Sequence, residues 1–251
     1  TPIVYHTLTT WLTHFNVSRK PWDDVRVRRA FHLAANRQEL VELAGEGLPA
    51  VGDFMRPGGP WAISQEELLK RPGYRPDKTQ DVAEARRLLQ EAGYKDGPQV
   101  DYIVRNIDTW IRFAEILREQ MKKAGIDLRL RIEETAVWSE RKTREDYGVL
   151  LEGYGIAVDE PTQVIGVHLR PGISFKDTAI DELRVKQRAT LDYAQRRELV
   201  LQYQKRMEEL LPVSPYWWNR YYMGVWNEVK NYPEPVGIWN SHKYTEVWLD
   251  R

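Results

Sequence analysis

Residues 16–37 constrain the fold of this chain more than any other stretch of its sequence. Pro21 suits the first turn of a helix, and Asp23 and Asp24 lie where carboxylates are favoured by the helix dipole. Apolar residues then recur at helical spacing, at Val27, Ala30, Phe31 and Ala34. Arginines on the other faces are expected to be solvated, namely Arg26, Arg28 and Arg29. The pattern predicts an amphipathic helix from Pro21 to about Gly45.

Composition narrows the class of protein. The 251 residues are enough for one large domain or two small ones with a sizeable core. Lysine and arginine together number 37 and so do aspartate and glutamate, which leaves no electrostatic footprint for nucleic acid or an anionic membrane. The absence of cysteine excludes disulfides, thiolate metal sites and cysteine nucleophiles. No apolar run approaches the ~20 residues that span a bilayer, and the first residues are those expected of a mature or trimmed chain.

Alternating and helical periods predict the remaining elements. Residues 1–13 alternate as a strand does, and residues 100–105, 108–124 and 126–133 predict a strand, a helix and a second strand. Other helices are expected over residues 81–93 (with Asp81 as cap), 138–144, 179–189 and 193–211, and another strand over residues 147–155. Residues 212–251 are typical of strands and turns. The order of elements favours an α/β fold.

Three segments carry a resemblance to a known family. Residues 16–37 resemble the signature N-x-x-x-x-P-[FW]-D-D-x-R-V-R-x-A-[FI]-x-x-A-x-[DN]-R, and residues 73–94 and 121–128 resemble two further family motifs. This pattern is similar to that of the extracellular solute-binding proteins of ABC transporters, in the peptide/nickel branch (family 5). The resemblance extends over nearly the whole chain but covers only the C-terminal part of a family member.

The resemblance implies an architecture. It predicts a periplasmic-binding-protein-like fold of class II, cluster C type, in which this chain is the C-terminal lobe with a mixed sheet flanked by helices. Residues 1–15 would be a hinge or first-lobe strand, residues 16–211 the ligand-covering lobe, and residues 212–251 the return segment to the other lobe. Because ligands of such proteins are buried by closure of two lobes, we expect this chain alone to bind solute weakly or not at all.

The resemblance also implies a function. The protein would capture a small solute (peptide-like, amide or sugar-like) in an interlobe cleft and deliver it to the permease subunits of an ABC importer. It would be a monomer in the periplasm or at the outer face of the cytoplasmic membrane, peripheral to the membrane through the permease, with no nucleic-acid partner and no cofactor. A sensor or chaperone-like protein of the same fold, which presents a ligand to another protein, is the alternative.

Residues 153–161 resemble the family pattern G-[WY]-x-x-D-x-x-[DE]-P. Peptide-binding members use its first Asp as counter-ion to the peptide α-ammonium, and that position is Ala157 here. A charge-assisted contact of about 1.5–3 kcal/mol is therefore missing, so we expect a solute that does not depend on a free α-amino group. Asp159 or Glu160 could substitute, and a turn or helix cap before Pro161 is the other interpretation of both residues.

Further candidates for solute contact lie at strand ends. By resemblance, Tyr154 and Gly155 line the cleft, Tyr154 with a stacking face and Gly155 by close backbone approach. Trp138 matches an aromatic residue that flanks the pocket. Asn106 and Trp110 follow a strand at its carboxyl end, where open α/β sheets place ligands, and Trp110 is expected to be more exposed than a core residue. Asn106 is equally compatible with helix capping.

Nothing in the sequence favours an enzyme. The five histidines (His6, His14, His32, His168 and His242) have no metal-ligand spacing, and no nucleophile-elbow, Walker-type or dinucleotide motif occurs. We therefore predict no catalytic residue, no metal site and no cofactor, and a role in binding.

Overall fold

The computed structural model describes residues 2–169, 175–233 and 244–250. Its strands are β1 (Pro2–Phe15), β2 (Ala50–Val51), β3 (Gln99–Arg105), β4 (Asp127–Glu133), β5 (Val149–Gly155), β6 (Val213–Gly224), β7 (Val229–Lys230) and β8 (Trp248–Leu249). Its helices are α1 (Val25–Ala34), α2 (Arg37–Leu43), α3 (Gln65–Leu68), α4 (Thr79–Glu91), α5 (Asp108–Ala124), α6 (Thr135–Thr143), α7 (Pro161–His168), α8 (Thr178–Ala189) and α9 (Tyr193–Leu210), with a 3₁₀ turn at Tyr244–Glu246.

One mixed sheet of six strands organises the chain, in the order β2-β6-β1-β5-β3-β4. The long strand β1 pairs antiparallel with β6 on one side and β5 on the other, while β3 pairs parallel with both β5 and β4. The strand–helix–strand prediction over residues 100–133 is confirmed by β3, α5 and β4. Because the parallel strands end at the same side, the carboxyl ends of β3, β4 and β5 form one edge of the sheet, here called the carboxyl edge.

Each face of the sheet supports its own core. On one face, buried aromatic residues of α1, α5 and β3 pack together, among them Phe31, Tyr102 and Phe113. On the other, Leu12 of β1 packs with Tyr203 of α9 and Trp218 of β6. Both faces are covered by helices, as expected for the α/β architecture.

The predicted helix from Pro21 to about Gly45 is wrong as a single element. Residues 21–24 form a turn, and Asp24 caps α1 by accepting from the backbone N–H of Arg26. Helix α1 ends at Ala34, and a new helix begins because the Asn36 side chain accepts from the backbone N–H of Glu39 and caps α2. Two short helices therefore replace one long helix.

Two further sequence predictions fail because a charged side chain is buried. Arg28 was expected on a solvated face, but it is 5% exposed and donates to the backbone carbonyls of Leu210 and Leu211. Asp81 was expected to cap α4, but it lies within the first turn of that helix. There it accepts from the Gly73 N–H at 2.9 Å and pairs with the Lys78 ammonium at 2.7 Å.

The strands assigned by resemblance to a hinge and a second lobe are central in this sheet. β1 and β6 run side by side, from Pro2 opposite Gly224 to His14 opposite Val213. The division at residues 15 and 211 stays a prediction, and part of the 212–251 segment, residues 234–243, lies outside the described residues. None of the described helices is both long and apolar enough to cross a membrane.

Candidate functional site

Arg105 is the last residue of β3, so its side chain lies at the carboxyl edge. The central carbon of its guanidinium lies 5.0 Å from the ring centroid of Trp110 and 5.3 Å from that of Trp138. One terminal nitrogen donates to the Thr135 hydroxyl at 3.2 Å, whereas Nε is buried without a hydrogen-bond partner. Among the described residues no carboxylate pairs with Arg105. Two aromatic rings thus hold a cation that keeps unused donors.

The rings belong to a larger aromatic group, here called the tryptophan cluster: Trp11, Trp110, Trp138 and Trp217. The ring centroids of Trp11 and Trp110 are 5.1 Å apart, and Trp138 meets Trp110 edge-on at 5.9 Å. Trp110 is only 7% exposed, so the expectation of an exposed ring is wrong. Gly153 explains the burial, since a Cβ there would lie 3.3 Å from Trp110 Cζ2. The missing Cβ at residue 153 leaves room for the Trp110 indole against the strand.

A cavity of about 200 Å³ adjoins the tryptophan cluster. Its apolar walls include Trp11, Trp217, Leu48 and Pro49, and Thr109 at the start of α5 is on its rim. The Trp217 indole N–H donates to Asn219 Oδ1 at 2.9 Å, which holds that ring in place. A space of this volume with these walls can hold a small apolar group.

Lys142 of α6 and Glu152 of β5 form a buried ion pair that contacts the tryptophan cluster at Trp138. The Lys142 ammonium lies 5.1 Å from the ring centroid of Trp138 and 4.8 Å from that of Tyr154. The Tyr154 hydroxyl bonds His14 Nε2 at 2.8 Å, and the residue is buried. The predicted stacking face of Tyr154 is therefore packed inside the protein, and contact between Tyr154 and a solute stays a prediction.

Asn106 does not cap α5, so that interpretation is wrong. The residue before the helix is Ile107, and it makes no side-chain cap. Asn106 instead donates from Nδ2 to Glu134 Oε1 at 2.6 Å, and its side chain is exposed at the carboxyl edge. It thereby joins the loops that follow β3 and β4, close in sequence to Arg105.

The backbone amides of the segment after β5 form hydrogen bonds within the protein. Gly155 pairs with Thr9 of β1 and is exposed. The backbone N–H groups of Ala157 and Val158 both donate to Gln163 Oε1, at 3.0 and 3.2 Å. The amides around Ala157 are therefore tied back to α7, while the Ala157 side chain is exposed.

The two carboxylates of this segment have separate partners. Glu160 accepts from the Thr162 backbone N–H as the cap of α7 and pairs with Arg196, so the helix-cap interpretation is confirmed for Glu160. Asp159 is no cap: its Oδ2 accepts from Arg56 at 2.6 Å. Neither carboxylate of the segment lacks a cation.

The predicted site residues thus fall into two groups on the carboxyl edge. Asn106, Trp110 and Trp138 lie around Arg105. Gly155 ends β5, and Ala157 and Asp159 follow it toward Arg56. Tyr154 links the groups through Lys142, whose ammonium also faces Trp138.

Sequence reasoning missed both arginines. Arg105 had a usable signal, because it ends a predicted strand at the edge where such sheets place ligands. Arg56 had none, since its partner is 103 residues away in sequence. Within the described ranges no group of three or more His, Asp or Glu side chains could hold a metal ion, and His242 lies outside them.

The family described as "Bacterial extracellular solute-binding proteins, family 5 Middle" matches residues 3–176. The chain belongs to this family. It is 25% identical over 213 residues to Di/tripeptide-binding protein 1 of Pseudomonas aeruginosa. The matched region is 80% of this chain and 38% of that protein. It is 23% identical over 250 residues to the dipeptide-binding protein of Escherichia coli, a match that covers 94% of this chain and 45% of that protein. The predicted family membership is confirmed.

Solved structures share the fold. HbpA2 of Haemophilus parasuis superposes with a TM-score of 0.83 at 18% identity, covering 99% of this chain and 50% of that one. OppA of Haemophilus influenzae, in complex with the peptide RPPGFSPFR, superposes with a TM-score of 0.79 at 19% identity. The superposition covers 100% of this chain and 50% of the OppA chain. The predicted periplasmic-binding-protein fold is confirmed. The chain spans half or less of the length of each of these proteins.

Proposed function

We propose that this chain is the ligand-covering lobe of a solute-binding protein of an ABC importer, and that its carboxyl edge faces the solute. The observation that carries the proposal is Arg105, held between Trp110 and Trp138 with donors that no described protein group uses. Hydrogen bonds donated by a guanidinium are charge-assisted and strong, so a solute oxygen that reaches the unused terminal nitrogen is favoured. The family and its dipeptide-binding relatives support this assignment.

The proposed solute is small and peptide-like. Its carboxylate or carbonyl oxygen accepts from Arg105, and its apolar part lies against the tryptophan cluster. The Trp138 indole N–H is a second buried donor without a partner, and the Arg105 guanidinium lies 5.3 Å from that ring. The Arg105 terminal nitrogen that makes no hydrogen bond with the described residues can donate to a carboxylate oxygen of the solute. The cavity of about 200 Å³ beside Trp11 takes a small side chain.

Capture is proposed to occur by closure of two lobes around a hinge. β1 and β6 leave the sheet side by side at the carboxyl edge, which suits paired strands that lead to a second lobe. The closed protein delivers its solute to a permease at the outer face of the cytoplasmic membrane, and no chemistry on the solute is proposed. The carboxyl edge presents donors and aromatic surface, the requirements of binding.

Calorimetric titration of the full-length protein that carries this chain tests the proposal. The probes are Ala-Ala, N-acetyl-Ala-Ala, glutathione and glucose, and the variants are Arg105→Met and, as a control, Arg112→Met. Arg112 lies on α5 and pairs with Glu46 at the surface. We expect at least one peptide-like probe to bind and Arg105→Met to weaken it about tenfold or more, since a charge-assisted bond is lost. Binding of glucose alone, or equal loss in Arg112→Met, contradicts the proposal.

A further inference from the structure

The charge next to β5 is decided by Arg56, a residue of the turn-rich loop after β2. Two of its guanidinium nitrogens, Nε and one terminal nitrogen, reach Asp159 Oδ2 at 2.6 Å. Asp159 is the carboxylate that follows β5 most closely, and it lies two residues from the exposed Ala157. The pair therefore removes the negative charge that this part of the carboxyl edge would otherwise present.

The pair is built into the fold. The side chains are 19% and 17% exposed, which is low enough for the attraction to escape most solvent screening. Gly59 packs directly on it: a Cβ there would lie 3.1 Å from Asp159 Oδ2 and 3.2 Å from an Arg56 terminal nitrogen. The bare backbone at residue 59 thus leaves room for the pair and fixes the loop of residues 52–60 against the segment after β5.

The surroundings of the pair are cationic. His6 of β1 lies opposite Arg220 of β6 in the sheet register. Burial lowers the pKa of His6, and the nearby Arg56 and Arg220 lower it further, while Asp159 partly opposes them. At neutral pH the histidine is therefore uncharged, and two guanidinium groups and one carboxylate act on it.

We propose that Arg56 makes the site selective against cationic solutes by neutralising Asp159, so that the end of the solute facing residues 155–159 is uncharged or acidic. This rests on the proposed function, since it assumes that the carboxyl edge faces the solute. An ammonium placed there must displace a guanidinium from Asp159 or stay unpaired beside Arg56 and Arg220. Either cost weakens binding of a solute with a free amino group.

The first experiment needs no ligand. A water-soluble carbodiimide with glycine ethyl ester amidates accessible carboxylates, and peptide mass spectrometry gives the rate at Asp159. We expect slow modification in the wild type and a rate about tenfold higher in Arg56→Gln, because the departing guanidinium exposes the carboxylate. Arg206→Gln is the matched control: Arg206 of α9 pairs at 2.7 Å with the half-buried Asp177, the cap residue of α8. That control is expected to leave the rate at Asp159 unchanged, and equal rates in wild type and Arg56→Gln overturn the proposal.

The second experiment measures selectivity in the full-length protein, as the affinity ratio between Ala-Ala and N-acetyl-Ala-Ala. These probes differ in the amino group and share the carboxylate. We expect the wild type to bind the acetylated probe at least as well, and Arg56→Gln to shift the ratio about tenfold toward the free amine. The double variant Arg56→Gln/Asp159→Asn is expected to return the ratio to the wild-type value, which separates release of Asp159 from loosening of the loop.

The two experiments separate the possible failures. If a probe binds but the ratio is the same in wild type and Arg56→Gln, the selectivity role is overturned while the proposed function stands. If no probe binds to any variant, the proposed function fails and the selectivity proposal with it, even where Asp159 becomes accessible in Arg56→Gln. A ratio that stays shifted in the double variant assigns the effect to the loop and overturns the role of Asp159.

Discussion

Arg37 and Arg105 both lie against aromatic rings, but their donors are used very differently. The Arg37 guanidinium lies 4.3 Å from the Tyr74 ring and is fully buried. It donates to the backbone carbonyls of Pro215 at 2.9 Å and His32 at 3.1 Å, to that of Gly73, and to the Ser214 hydroxyl at 3.3 Å. Arg105 makes one hydrogen bond, to Thr135 at 3.2 Å.

The difference separates a structural arginine from the arginine that we propose binds the solute. Arg37 closes the 16–37 signature, yet its donors hold α2, the Gly73 turn and β6 together and leave nothing for a solute. Arg28 of the same signature likewise donates to the carbonyls of Leu210 and Leu211 at the end of α9. The residues that reveal the family thus stabilise the fold, whereas Arg105, outside the signature, keeps unused donors at the carboxyl edge.

The largest effect is expected from removing Arg37. Arg37→Met leaves several buried carbonyl groups without a donor, so the free energy of unfolding should fall by about 3 kcal/mol or more, measured in urea. Arg105→Met is the matched control and should lose less than about 1 kcal/mol, since one bond to Thr135 is broken. Equal losses in the two variants would remove the distinction between a structural and a solute-binding arginine.

A second prediction extends the contrast to a buried histidine. Burial lowers the pKa of His168 to about 3, from 6.5. As the pH falls below 6.5, His168 binds a proton in the unfolded chain but stays neutral in the folded protein. The free energy of unfolding should therefore decrease by up to about 1.4 kcal/mol per pH unit between pH 6.5 and 3. His168→Gln keeps a partner for the Tyr203 hydroxyl, 3.0 Å from His168 Nδ1, and should flatten this dependence.

Comparison of the two proteins at each pH isolates His168. Burial raises the pKa of Asp53 to about 6, and its contribution has the opposite sign: it is present below pH 3.8 and lost as the pH rises through 6. Asp53 is the same in both proteins, so it cancels from the difference between their urea-unfolding curves. Parallel pH profiles would show that His168 is protonated in the folded state.

A third prediction sharpens the Arg105 assignment. Arg105→Lys keeps the charge but loses the planar guanidinium that lies against Trp110 and Trp138. Solute affinity of the full-length protein should fall by about 1–2 kcal/mol in calorimetry, whereas the free energy of unfolding stays within about 0.5 kcal/mol of the wild type. An unchanged affinity would mean that a point charge suffices at this edge.

The smallest effect is expected at Gly153. A Cβ there would lie 3.3 Å from Trp110 Cζ2 and 3.5 Å from Trp11 Nε1. Gly153→Ala should shift both indoles by a few tenths of an ångström and cost about 1 kcal/mol or less, because the residue lies in a strand where alanine is otherwise favoured over glycine. Tryptophan fluorescence and urea unfolding measure the two effects. A loss above that of Arg37→Met would place the most critical packing at the carboxyl edge.

Local patterns predicted much of the fold. β3, α5, β4, β5 and α9 lie close to where periodicity put them, and the family and fold implied by the motifs are confirmed. The break between α1 and α2 was missed because Asn36 is at once compatible with a helix interior and a cap. Burial of Trp110 was missed because it depends on Gly153, in a strand distant in sequence.

The sequence by itself determined the family, the order of elements and the absence of a carboxylate at Ala157. Only the tertiary structure decided which charged groups remain available, because a hydrogen bond forms where the fold brings donor and acceptor together. Arg37 meets the Pro215 carbonyl across 178 residues, and Arg56 meets Asp159 across 103. Local pattern places an arginine on a helix or at a strand end, but long-range pairing determines whether its donors serve the protein or a solute.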